Sequence, residues 1–300
     1  MTTQVEQLSE GLAAAVAKAA GSVAMVDARR RIPASGIAWS DGVVVTANHV
    51  VERDEDITVS FGGEAAIAAT VAGRDRGSDI AVLRIAVGTG QPAERAPENS
   101  TRVGHLVLAV GRPGEGGVMA SMGVVGAAGG AWRTGRGTTV GGYLQADVTM
   151  YPGFSGGPLI DVTGRVAGMN SSHLGRGGGL TIPVGALDTI VHDLLAKGRV
   201  RRGYLGIGTQ TVVLPAAQQA GLADGQESAL LITGVETGSP AERAGMLIGD
   251  VLVSLAGAVI ASTESLFELL GGERIGQTVP AVVLRGGART ELAITLGERE

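Results

Sequence analysis

A serine in a glycine-rich bend, a histidine closing one apolar strand and an aspartate heading another are the chemically loaded positions of this sequence. The serine is Ser155 in Met150-Tyr151-Pro152-Gly153-Phe154-Ser155-Gly156-Gly157-Pro158; the histidine is His49 in Thr46-Ala47-Asn48-His49; the aspartate is Asp79 in Gly77-Ser78-Asp79. A serine hydroxyl is a weak nucleophile at neutral pH. Attack on an amide carbonyl needs an imidazole to take its proton, a carboxylate to orient the imidazole, and amide donors facing the developing oxyanion. Each role has a candidate here. Glycines at 153, 156 and 157 admit backbone conformations closed to other residues, so the amides on either side of Phe154 can converge on one small space. Taken alone, a G-x-S-G-G run reads equally well as a turn carrying an incidental serine. His49 and Asp79 move the balance toward chemistry, although a lone aspartate at a strand start is more often a turn residue and Asp75 competes for the role. His105, His173 and His192 have no comparable context.

These residues need rigid strands to hold them. Between residues 23 and 182, the runs Val43-Val44-Val45, Ile57-Thr58-Val59, Ile80 to Ile85, Leu106 to Val110 and Val166 to Met169 are short, apolar and separated by Gly, Asp, Pro or Arg. That pattern predicts an antiparallel barrel or sandwich. Leu8, Leu12, Val16 and Ala20 fall four apart behind Ser9 and Glu10, which predicts a short N-terminal helix within residues 1–22. Pro183 opens a second helix whose face is Val184, Leu187, Ile190, Val191, Leu194 and Leu195, and Gly198 ends it. Residues 199–203 read as a linker. Beyond it come Tyr204-Leu205-Gly206-Ile207, the run Leu230-Leu231-Ile232, a helix within Ser262 to Leu270, and closing strands near 280 to 296. A second domain of about a hundred residues fits the usual size range. Gly206-x-Gly208 lacks a third glycine at nucleotide-site spacing.

Composition narrows the partners. With 24 Lys and Arg against 29 Asp and Glu, the formal charge of -5 offers no broad attraction to phosphate backbones, so nucleic acid is not expected. There is no cysteine, which removes disulfides and thiolate metal sites. No segment approaches the ~20 apolar residues of a spanning helix, and no cofactor or metal is expected. Glu6, Glu10 and Lys18 break the basic-then-apolar grammar of an export signal, so a cytoplasmic protein is the expectation from the chain as written.

The stretches Thr46 to Val51, Asp75 to Leu83 and Pro152 to Leu159 resemble the HtrA/Deg serine proteases, trypsin-like enzymes that carry PDZ domains. The resemblance continues in Gly168-Met169-Asn170, in Thr181-Ile182-Pro183-Val184 and in Arg202 to Ile207. It implies a mainly β fold: a trypsin-like double six-stranded β-barrel over residues 23–198, then a small α+β PDZ domain over 204–300. It implies His49 as base, Asp79 as its orienter, Ser155 as nucleophile, and the amides of Gly153 and Ser155 as oxyanion hole. Thr149 stands where enzymes selecting basic side chains carry an aspartate. By the same analogy Thr149, Met150, Asn170, Ser171 and Ser172 shape a pocket for small or medium aliphatic residues.

The implied activity is ATP-independent cleavage of unfolded or damaged proteins, in the periplasm or cell envelope as the alternative to the cytoplasm. Tyr204, Leu205, Gly206 and Ile207 resemble the loop with which PDZ domains hold peptide C-termini. Family members commonly form homotrimers through N-terminal, often aromatic, contacts, yet residues 1–38 contain no Phe, Tyr or Trp. The glycine-rich loops 127–142 and 171–179, with Arg133, Arg136 and Arg176, are candidates for regulation. One departure is chemical: Phe154 replaces the usual Asn before the nucleophile. It has no side-chain hydrogen bond to offer, so the Gly153-Phe154 peptide is expected to be held by packing alone. The rival reading is therefore a peptide-binding scaffold or holding chaperone with weak or absent catalysis.

Overall fold

The computed structural model describes residues 3–63, 65–134, 138–175, 179–199, 203–219, 222, 225–270 and 274–298. Two compact units divide the chain, Met1–Val200 and Arg201–Glu300. Of the features read from the sequence, Arg136, Arg176 and residues 200–202 of the expected linker lie outside the described residues.

The first unit opens with helix α1 (Gln4–Ala20), which begins earlier than the apolar spacing predicts. Thr3, not Ser9, caps it: the Thr3 hydroxyl accepts from the Glu6 amide (3.2 Å) and the Glu6 carboxylate accepts from the Thr3 amide (2.6 Å), a capping box that satisfies two orphan donors. Ala15 and Ala19 are the buried positions, Leu12 and Val16 pack half-buried beside them, and Leu8 is exposed. Six strands follow: β1 (Val23–Asp27), β2 (Ala34–Ser40), β3 (Val43–Ala47), β4 (Ile57–Ser60), β5 (Ile67–Asp75) and β6 (Ile80–Arg84). They close an antiparallel barrel in the order β1-β2-β3-β6-β5-β4. The β3 and β6 runs are β-branched and apolar because almost every position in them is buried, consistent with a strand enclosed on both faces.

A second barrel uses β7 (Leu106–Gly111), β8 (Met119–Gly129) and, after a small hairpin of β9 (Trp132–Arg133) and β10 (Thr139–Val140), β11 (Tyr143–Ala146), β12 (Pro158–Asp161), β13 (Val166–Ser171) and β14 (Leu180–Pro183). Its order is β11-β14-β13-β12-β7-β8. Helix α2 (Val184–Lys197) then packs on β5, β6 and β13 through Val184, Leu187, Val191 and Leu194, and Gly198 ends it in the left-handed conformation, φ +71°.

In the second unit, β15 (Gly203–Tyr204) leads through Leu205 and Gly206 into β16 (Ile207–Val213). After the short helix α3 (Ala216–Gln219) come β17 (Ser228–Val235), helix α4 (Pro240–Arg243), β18 (Val251–Leu255), β19 (Ala258–Val259), helix α5 (Thr263–Leu269), β20 (Thr278–Arg285), β21 (Ala288–Thr295) and β22 (Gly297–Glu298). The sheet runs β16-β17-β18-β20-β21, which leaves β16 at an edge with α5 packed near it. A separate core of Leu230, Ile232, Leu252, Leu255, Leu266, Val283 and Ile294 holds this unit together. Among the described residues, no helix is long and apolar enough to cross a membrane.

Candidate active site

The first barrel supplies His49 and Asp79, and the second supplies Ser155. His49 sits in a single 3-10 turn, Asn48–Val50, directly after β3, while Asp79 immediately precedes β6; because β3 pairs with β6, the two residues meet at the same end of that ladder. Asp79 adopts a left-handed backbone, φ +59°, a conformation that aspartate tolerates better than most side chains. Its carboxylate is almost fully buried and has three donors. The His49 Nδ1 lies 2.7 Å from Oδ2, the His49 amide donates to Oδ1 at 2.9 Å, and the Ser171 hydroxyl donates to Oδ2 at 2.5 Å. An ionised carboxylate only accepts, so Nδ1 must carry the imidazole proton in the neutral ring, which leaves Nε2 as the acceptor. Asp75 is occupied elsewhere, closing its own turn by accepting from the Gly77 and Ser78 amides and the Ser78 hydroxyl.

The bend around Ser155 is fixed at successive carbonyls. Tyr151 O accepts from the Phe154 amide (3.0 Å), Gly153 O from the Ser35 hydroxyl (2.6 Å), Phe154 O from the Gly157 amide (2.9 Å) and Ser155 O from the Ser35 amide (3.2 Å). The Gly153 and Ser155 amides donate to no acceptor among the described residues. Gly153 and Gly156 have φ of +89° and +87°, and a Cβ at Gly156 would lie 2.1 Å from Ser35 O, so glycine is obligatory there on steric grounds alone. Phe154 is fully buried, with its ring 5.3 Å from that of Tyr151 in an edge-on arrangement. The expectation that packing alone holds the Gly153-Phe154 peptide is corrected: Ser35 grips its carbonyl and Tyr151 its amide.

The Ser155 hydroxyl is engaged by Ser172, whose Oγ lies 2.9 Å away and whose amide donates to it at 3.2 Å; no hydrogen bond joins it to His49. The His49 ring instead stacks on His173, with centroids 3.8 Å apart and planes 23° from parallel. Reading the sequence missed Ser35 and His173. Of the expected pocket residues, Met150 and Asn170 line a small pocket of about 10 Å³ with Ala146, Val148, Gly179, Leu180 and Thr181. The Thr181 hydroxyl donates to Asn170 Oδ1 (2.7 Å), and Asn170 Nδ2 finds no acceptor among the described residues. Thr149 is exposed, Ser171 is turned to Asp79, and Ser172 is turned to the nucleophile.

In the second unit, Gly206 has φ +78° and its carbonyl accepts from the Glu236 amide, while Leu205 O accepts from the Ala241 amide. The Leu205 and Gly206 amides donate to no acceptor among the described residues.

Both units match known domain families. Residues 34–169 match the trypsin-like peptidase domain and residues 203–296 the PDZ domain. The chain is 35% identical over 264 residues to the probable periplasmic serine endoprotease DegP-like of Ectopseudomonas mendocina and 34% identical over 262 residues to that of Pseudomonas savastanoi pv. phaseolicola. Each alignment covers 86% of this chain and 54% of the relative. Among solved structures, the HtrA-type protease AlgW with a decapeptide superposes with a TM-score of 0.80 at 27% identity, covering 96% of this chain and 99% of that one. The serine endoprotease from Yersinia pestis gives 0.78 at 26%, covering 96% and 98%. The chain thus joins a trypsin-like peptidase domain to a PDZ domain, and over most of its length it is similar to DegP-like and HtrA-type serine endoproteases. It spans about half the length of the curated relatives it matches. The HtrA/Deg relatives also correct the cytoplasmic expectation, because those aligned over most of the chain are named periplasmic.

Proposed function

We propose that this chain is a serine endopeptidase of the HtrA/Deg type, acting without ATP on unfolded or damaged proteins in the periplasm. The observation that carries the reading is the buried Asp79 carboxylate bonded to His49 Nδ1 beside a serine bend with two unengaged amides. His49 Nε2 takes the proton as Ser155 Oγ attacks the substrate carbonyl, once the hydroxyl has turned from Ser172. The Gly153 and Ser155 amides receive the oxyanion. His49 then protonates the leaving amine, and water releases the acyl group by the same route. Asp79 holds the productive tautomer, and Ser171 holds Asp79. The rival scaffold reading rested on Phe154 and is not favoured: the peptide it was thought to leave unsupported is bonded at both ends.

By the family resemblance, the side chain before the scissile bond is small or medium and aliphatic, and Met150 and Asn170 border the pocket that would receive it. In the PDZ domain, the Leu205 and Gly206 amides receive a terminal carboxylate and the peptide adds to the β16 edge, with Tyr204 and Ile207 flanking the loop. Residues 199–203 link this domain to the protease. Assembly as a homotrimer follows the family resemblance and is tested by light scattering.

Fluorophosphonate labelling and casein cleavage, each compared with Ser155→Ala, test the enzymatic reading. Casein binding without labelling or cleavage would refute it. A peptide with a free C-terminus should bind the full chain more tightly than its amidated form, and deletion of 204–300 should change peptide-stimulated cleavage if the PDZ domain regulates the protease.

A further inference from the structure

The Gly153-Phe154 peptide lies between the two amides to which the proposed mechanism assigns the oxyanion. A trans peptide is planar, with its carbonyl and N–H pointing in opposite directions, so fixing one end orients the whole unit. Its neighbours then follow within the limits set by φ and ψ of Gly153 on one side and of Phe154 on the other. Tyr151 O holds the N–H end from within the bend. The carbonyl end is held from the other barrel, by Ser35 on β2.

The hydroxyl roles are forced. Ser35 Oγ accepts from the Arg112 amide at 2.8 Å, and its single proton goes to Gly153 O at 2.6 Å. Ser35 is fully buried, so no water competes for that carbonyl. The same residue donates its amide to Ser155 O (3.2 Å), and its carbonyl accepts from the Thr46 hydroxyl (2.7 Å), tying the bend to the strand that leads into the His49 turn. Gly111, on whose far side Arg112 follows, leaves the space that the Phe154 ring occupies: a Cβ there would lie 2.6 Å from the ring. A buried carbonyl deprived of its donor gains freedom to turn in search of another.

We infer that Ser35 is a positioning residue for the oxyanion hole: its hydroxyl, aimed by the Arg112 amide, locks the Gly153-Phe154 peptide so that the Gly153 and Ser155 amides both face the reacting carbonyl. It supplies from β2 the hydrogen bond that Phe154 lacks. The inference rests on the proteolytic reading for its catalytic consequence, but the locking itself is measurable without turnover.

The test uses the full chain as wild type and Ser35→Ala, with two readouts. Hydrogen exchange followed by mass spectrometry should show faster exchange in the variant over residues 151–157 and unchanged exchange in β16 to β21. Steady-state cleavage of labelled casein should show kcat lowered by about two- to twelvefold, the value of one neutral hydrogen bond, up to the roughly 10²–10³ of a lost oxyanion donor, with KM within about twofold of wild type. Ser35→Thr, which keeps the hydroxyl, should recover more than half of the lost kcat, and Ser35→Cys replaces Ser35→Ala if the latter does not fold. Unchanged exchange over 151–157 overturns the inference, as does an unchanged kcat in an active background. Faster local exchange with a wild type that neither labels nor cleaves supports the locking role and defeats the proteolytic reading instead.

Discussion

Replacing Ser172 with alanine should make the nucleophile more reactive. In the resting arrangement Ser155 Oγ is bonded to Ser172 by two contacts, the hydroxyl at 2.9 Å and the amide at 3.2 Å, and it must give these up to reach His49 Nε2. Ser172→Ala removes only the hydroxyl. The amide contact persists in either variant and so cancels. A neutral side-chain hydrogen bond contributes about 0.5–1.5 kcal/mol net. At 1.36 kcal/mol per decade of rate, its loss from the ground state alone corresponds to an increase of about two- to twelvefold. The bond is absent once Ser155 faces His49, so the full amount should appear in the barrier. The assay is the second-order rate constant for fluorophosphonate labelling, with Ser172→Ala/Ser155→Ala as the blank, and kcat/KM on casein should rise in parallel. A labelling rate that is unchanged or lower, in a variant with wild-type melting temperature, would refute the claim that Ser172 restrains the nucleophile.

Three further outcomes follow from the same contacts. Gly156→Ala should abolish labelling and lower the melting temperature, because its Cβ would lie 2.1 Å from Ser35 O and 2.4 Å from Thr46 Oγ1 and the backbone has φ +87°; a labelled, wild-type-stable variant would contradict this. Arg112→Met should destabilise the first unit by about 1–3 kcal/mol, seen in denaturant titration, since the guanidinium donates to the buried Val23 O and to the part-buried Ala20 O at the end of α1 and its loss leaves both without this donor. Burial already pushes the Arg112 guanidinium below its ordinary pKa, yet it stays charged and favours the negative end of that helix. The second unit should lose stability in acid through Asp250, whose carboxyl is held below its usual range by the Arg285 guanidinium and the Leu247 amide, against the opposing effect of burial. A carboxyl depressed in the folded state stabilises above its unfolded pKa of about 3.9, and that contribution is lost as pH falls through this value toward the folded one. Melting of Asp250→Asn should therefore depend less on pH below about 4 than that of wild type; parallel curves would exclude the linkage.

What the sequence made legible follows from the kind of contact involved. His49 and Ser155 stand out because their constraints are local: a β-branched run must end somewhere rigid, and a G-x-S-G-G bend needs glycine φ values that few other residues adopt. The strands of both barrels and the helices ending at Gly198 and beginning at Ser262 are legible for the same reason, since period and cap lie within a few residues of each other. The helix within residues 1–22 is legible too, but its first residue is not, because Ser9-Glu10 and Thr3 with Glu6 both resemble caps and only the fold selects the second.

The residues that escaped reading are those whose partners are backbone atoms or distant side chains. Ser35 bonds a carbonyl 118 positions away, and every residue type offers that same carbonyl, so nothing at position 153 advertises the need for a hydroxyl at position 35. Ser171 was placed in the pocket because it follows Asn170, but on a strand successive side chains face opposite ways, and its hydroxyl turns to Asp79 while Asn170 lines the pocket. His173 looked idle for a similar reason: its stacking on His49 depends on two loops from different barrels meeting, a fact of topology and not of neighbouring residues. The site is thus divided between groups that do the chemistry, which carry rare residue types and show in sequence, and groups that aim them, which use common serines and show only when the barrels close.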